Sequence, residues 1–156
     1  MRAFECRRGG HCCTNQLMGR SEDGQEFGLY LTPKEASFFP SDVVYPLLRR
    51  GDDVFAYQLG VDRCPNLRFE EGLAVCAIYH DRPLACRAFP APVADDGSVE
   101  IHLTACPCTA DFAGDEWDMA SFGNCFEAAR EQLEQAETNP QATAMYVLNE
   151  RAWVAL

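Results

Sequence analysis

Nine cysteines in 156 residues are the side chains of this sequence best suited to chemistry. The stretch Cys76-Ala-Ile-Tyr-His-Asp-Arg-Pro-Leu-Ala-Cys86-Arg-Ala-Phe-Pro90 sets two thiols around a turn rich in Arg, Asp, His and Pro. Phe4-Glu-Cys6-Arg-Arg-Gly-Gly-His-Cys12-Cys13 supplies three more thiols. Cys64-Pro65 and Cys106-Pro107-Cys108 bring the number before residue 110 to eight. Thiolates are soft, anionic ligands that favour zinc, copper(I) and iron–sulfur clusters. An odd cysteine count and a polar start, Met1-Arg-Ala-Phe-Glu, point away from an exported disulfide framework and towards metal binding or redox chemistry in the cytoplasm. The candidate metal ligands are therefore Cys6, Cys12, Cys13, Cys64, Cys76, Cys86, Cys106 and Cys108. Consecutive side chains on extended backbone point apart, so Cys12 and Cys13 suit two metals, or one metal and one structural thiol, better than one mononuclear site. Eight thiols are compatible with two four-thiolate sites, a bridged dinuclear site, or an iron–sulfur cluster with spare ligands.

Other polar residues weigh less. Arg82 and Arg87 flank the second thiol pair, where a cation lowers thiol pKa and offsets thiolate charge; ion pairing with the many carboxylates is the competing reading. Cys125 falls on a helical apolar stripe and reads as a core residue. His11 is the best placed of the three histidines as a ligand, whereas His80 and His102 read as structural. Tyr79 is expected to pack over the site or to donate its hydroxyl. Asp52-Asp53 and Asp95-Asp96 lack the spacing of a calcium loop. The sequence contains no P-loop, G-x-G-x-x-G, H-E-x-x-H, G-x-S-x-G or C-x-x-C motif, so no catalytic residue is assigned and enzymatic activity is left open.

The elements that must position these thiols are short. Residues 26–31 predict a strand. Thr32-Pro33-Lys34-Glu35 predicts a capped helix start with a capping box, ending by Phe39-Pro40. Residues 41–50 read as loop or one helical turn. Residues 53–59 predict a strand, and Glu70-Glu71-Gly72 a hairpin turn into a strand at 73–79. A single helical turn is expected at 82–87, and a hairpin over Asp95-Asp96-Gly97 between Val93 and Val99–Leu103. Phe122, Phe126, Ala129, Leu133 and Ala136 recur at helical spacing in a helix starting near Glu116. Asn139-Pro140 is read as the start of a second helix carrying Ala144, Val147, Leu148 and Arg151. The expected fold is a small α+β domain, one unit over 1–156. A cysteine-cluster core with short β-hairpins covers 1–110, and an antiparallel helical hairpin covers 115–156. The formal net charge of -11 argues against nucleic acid or an anionic membrane surface as partner. No apolar run reaches the ~18 residues of a membrane span.

The motifs resemble those of the YkgJ-like cysteine-cluster family, a zinc- or iron-chelating domain with the pattern F-x-C-x-x-C-G-x-C-C, C-P-x-L, C-x-I-Y-x-x-R-P-x-x-C-R-x-F-P and a late C-P. Phe4, Cys6, Gly10, Cys12 and Cys13 match the first motif. Cys64-Pro65-Asn66-Leu67 matches the second. Cys76, Ile78, Tyr79, Arg82, Pro83, Cys86, Arg87, Phe89 and Pro90 match the third, and Cys106-Pro107 the last. Leu31-Thr32-Pro33-Lys34-Glu35 resembles the family's L-T-x-x-E segment. The resemblance implies zinc or iron held by clustered thiolates. A weaker likeness to flagellin lysine methylases implies, as the alternative, an iron–sulfur enzyme or redox protein. Gly9 stands where the family pattern has its second cysteine, and Cys108 or His11 could replace that ligand.

Overall fold

The computed structural model describes residues 1–14, 17–94 and 96–156. Its main body is a six-stranded antiparallel sheet in the order β1-β2-β4-β3-β7-β8. The strands are β1 (Met18–Arg20), β2 (Glu26–Leu31), β3 (Val44–Arg50), β4 (Asp53–Leu59), β7 (Ala144–Val147) and β8 (Ala152–Ala155). A separate hairpin pairs β5 (Leu67–Glu70) with β6 (Leu73–Cys76). Four α-helical segments complete the described residues: α1 (Pro33–Ala36), α2 (Leu84–Ala88), α3 (Pro107–Ala110) and α4 (Gly123–Thr138).

Local chemistry accounts for most of these elements. Thr32 Oγ1 accepts the Glu35 N–H at 3.2 Å, and the Glu35 carboxylate accepts the Thr32 N–H at 2.9 Å, closing the capping box ahead of α1. The turn between β5 and β6 has Glu71 at φ 51° and Gly72 at φ 78°. Two consecutive left-handed residues are what a tight two-residue hairpin requires. Residues 41–50, read as loop or helical turn, instead form a 3-10 turn (Ser41–Val43) and strand β3. Pro46 is tolerated there because it lies at an irregularity of the β3–β4 register and outside the pairs β3 makes with β7.

Gln58 is the polar centre of the sheet. It is fully buried, accepts the Gly28 N–H at 2.8 Å, and donates to Pro46 O at 2.8 Å and Tyr146 O at 3.0 Å. On the other face of β4, Leu59 packs with Leu17, Leu31 and Phe39, and Cys64 and Ile78 pack against that cluster. A second cluster joins Leu84 and Ala88 of α2 to Ala128 and Ala129 of α4.

The expected C-terminal helical hairpin is not formed. Helix α4 starts at Gly123 after a 3-10 turn at Met119–Phe122, with the Asp118 side chain capping Ala120 N–H. Asn139 ends this helix, its N–H bonding to Ala136 O. The segment read as a second helix is the β7–β8 hairpin. Its Ala/Val/Leu spacing fits a helix, but Met145 pairs with Leu48 and Ala144 with Arg49 of β3, so the sheet edge captures it. Val93 and Val99 do pair antiparallel as expected; Asp95 between them lies outside the described residues.

Candidate metal centre

Four attachments bring distant thiols together. First, the chain start is zipped to the α4 approach: Arg2 N–H bonds to Glu116 O at 2.7 Å, Asp118 N–H to Arg2 O at 2.8 Å, and Phe4 stacks on Phe122 with ring centres 4.7 Å apart. Second, Arg8 runs beside β6, its carbonyl accepting the Ala74 N–H at 2.8 Å and its Nε donating to Ala74 O at 3.2 Å. Gly10 passes the hairpin at φ 79°, and a Cβ there would lie 3.2 Å from Ala74 Cβ and 3.3 Å from the Phe69 ring. Third, Cys64 N–H bonds to Cys13 O at 2.8 Å. Fourth, Glu35 Oε1 accepts the Leu84 N–H at 2.9 Å, so the capping-box glutamate also anchors the helix that carries Cys86.

The result is a cavity of ≈ 540 Å³ whose wall carries Cys6, Cys12, Cys13, Cys64, Cys76 and Cys86. Among the described residues, its charged lining groups are Arg8 and Arg82, and no carboxylate lines it. Tyr79 forms part of the wall as expected, with the Arg82 guanidinium 4.0 Å from its ring centre. Leu17, Leu29, Phe39, Leu59 and Leu67 make the wall apolar elsewhere. Cys106 and Cys108 do not line the cavity but adjoin Cys6, whose thiol hydrogen-bonds with Cys108. Arg7 N–H donates to Cys108 Sγ at 3.2 Å, and Cys108 N–H to Cys106 Sγ at 3.4 Å.

Burial first, and neighbouring thiols after it, make most of these thiols reluctant to ionise. Burial, then neighbouring thiolates, push Cys86 far above the ordinary thiol range; Cys64 is raised for the same first reason. The hydrogen bond between Cys12 and Cys13 lowers Cys12 to about 7 and raises Cys13, whose burial raises it further. Burial raises Cys6 and pushes Cys106 up to about 12. Burial acts to raise Cys108 too, but the Arg7 N–H, the Cys106 thiol and the Arg7 guanidinium hold it below the usual value.

The donor set fits a thiophilic cation: soft ligands, partial burial, no competing carboxylate among the described residues, and thiols whose ionisation a positive charge would favour. Among the described residues, however, no three His, Cys, Asp or Glu side chains already stand in a metal-holding arrangement.

A model of the CxxCxxCC family, described as a putative zinc- or iron-chelating domain, matches residues 5–109. The chain belongs to this family. No curated protein and no solved structure matches the chain. The CxxCxxCC match spans all the candidate ligands from Cys6 to Cys108 and stops short of Cys125. Cys125 is buried and donates to Phe89 O at 3.4 Å, in keeping with a core role. Arg87 pairs with Glu131 at 3.6 Å rather than facing the cavity, while Arg82 does face it. His11 does not line the cavity, and His80 and His102 are exposed. A Cβ at Gly9 would meet nothing within 4 Å, so the position has room for the family's missing cysteine. Arg8, Leu17, Leu29, Phe39 and Leu59 had no sequence motif of their own, whereas Leu67 belongs to the Cys64-Pro65-Asn66-Leu67 motif.

Proposed function

We propose that this CxxCxxCC domain chelates zinc or iron through thiolates. Cys12, Cys13, Cys64, Cys76 and Cys86 would form one set, and Cys6, Cys106 and Cys108 a second, smaller one, with Cys6 at the junction. The observation that carries this reading is the cavity wall itself, which among the described residues holds six thiols and two arginines and no carboxylate. Cys108 beside Cys6 supports it as the replacement for the thiol absent at Gly9.

The test is elemental analysis of anaerobically purified protein, with its visible spectrum. Stoichiometric zinc in a colourless protein, or iron with visible absorption from thiolate-bound clusters, supports chelation and separates its two forms. The same analysis on Cys12→Ser and Cys86→Ser should show the metal lost. Zinc and iron contents that match a variant with all five cysteines of the first set replaced would sink the proposal.

A further inference from the structure

We propose that the apolar part of the thiol cavity holds a small uncharged organic molecule beside the metal; this rests on the chelation reading above. Size is the first argument. A sphere with the roughly 2.3 Å radius of a zinc–sulfur bond encloses only about 50 Å³, against a cavity of ≈ 540 Å³. A purely structural site would be closed around its ion. Cavities of this volume, largely apolar with few polar groups, are instead the usual size for small organic ligands.

The wall gives the ligand's character. Leu17 and Leu59 are 3% and 0% exposed and belong to the main core cluster, so this part of the wall is rigid hydrocarbon. Phe39 and Leu67 extend it. Charge selects further. A divalent cation held by four of the five thiolates of the first set carries a net charge of about −2, and Arg8 and Arg82 are, among the described residues, the cations that line the cavity. The centre is then balanced. An added anion would leave a buried charge without a partner, and an added cation would face the arginines. Tyr79, 55% exposed while lining the cavity, marks where the space opens to solvent. Its ring, with the Arg82 guanidinium 4.0 Å from its centre, adds aromatic surface to that wall.

The experiment uses the full chain loaded with zinc, its metal content assayed in the same sample, and toluene as probe followed by NMR. Toluene should bind saturably at one site, with benzoate and benzylamine about tenfold weaker or more. Leu29 on β2 and Val75 on β6 both line the cavity, so Leu29→Trp and Val75→Phe should each fill it, keep their zinc and lose the toluene signal; two strands are used so that misfolding of one variant does not decide the matter. Zinc-loaded protein that fails to bind toluene, binds all three probes equally, or keeps binding in both filled variants overturns this inference alone. A chain that takes up no zinc overturns it together with the chelation reading.

Discussion

Cys86 and Cys125 ride on α2 and α4, helices that pack against each other, yet only Cys86 faces the cavity. The two should therefore respond differently. Cys125→Ala removes a weak S–H donor and some packing, for about 1 kcal/mol of stability, and should leave metal content unchanged by elemental analysis. Cys86→Ser should lose metal. Neighbouring glycines give a second contrast. Gly9→Cys has open space around it and should fold with metal uptake at least equal to the parent. Gly10→Ala meets Ala74 and Phe69 at a left-handed φ and should cost about 1–2 kcal/mol in chemical denaturation. Thiol protonation adds a pH dependence. Cys13, Cys64, Cys86 and Cys106 are raised in the metal-free fold, so they hold protons at neutral pH that a cation must displace. Zinc affinity should thus rise with pH between 6 and 8 in a chelator-competition titration. Cys12, near 7, adds little to that slope above neutrality. A flat profile would mean the raised thiols are not ligands.

The hairpins and caps differ in how openly the sequence announces them. Glu71-Gly72 and the Thr32–Glu35 box are local: their chemistry lies within four residues, and the elements form where expected. The β7–β8 hairpin is not local. Ala144, Val147 and Leu148 satisfy a helical stripe, and only the pairing of β7 with β3, about 95 residues earlier in the chain, decides for a strand. The cavity divides in the same way. Its cysteines and Tyr79 were legible from residue type and spacing, whereas Arg8 and Leu59 become wall residues only through the Ala74 pairing and the packing of β4. Gln58 is a further case, a polar residue whose central place no periodicity reveals. Gln58→Leu would strand the Gly28 N–H and leave the Pro46 and Tyr146 carbonyls without the amide donor. It should cost about 2–4 kcal/mol by equilibrium denaturation. A loss below about 0.5 kcal/mol would show that water or backbone movement replaces those bonds.

At the scale of the molecule, cohesion comes from two unlike sources. The six-stranded sheet contains no cysteine and is held by its ladders, the Gln58 bonds and the core around Leu59. Several thiol-bearing segments are joined by few hydrogen bonds, such as the two between Arg8 and Ala74, the one from Cys64 to Cys13 and the pair that Arg2 makes with Glu116 and Asp118. If thiolates gather a cation between these segments, part of their ordering free energy comes from coordination. Stripping the metal should then loosen them and spare the sheet, even though β2, β3 and β4 lie within the family-matched part of the chain. Native-state hydrogen exchange on metal-loaded protein, with and without a strong chelator, reads this directly. The Cys64 and Ala74 amides, donors in two of those attachments, should lose protection by about tenfold or more. The amides of Ala56 and Gln58 in β4 should change little. Uniform loss across both groups would mean that coordination supports the whole fold; unchanged Cys64 and Ala74 would mean that the attachments hold without any ion.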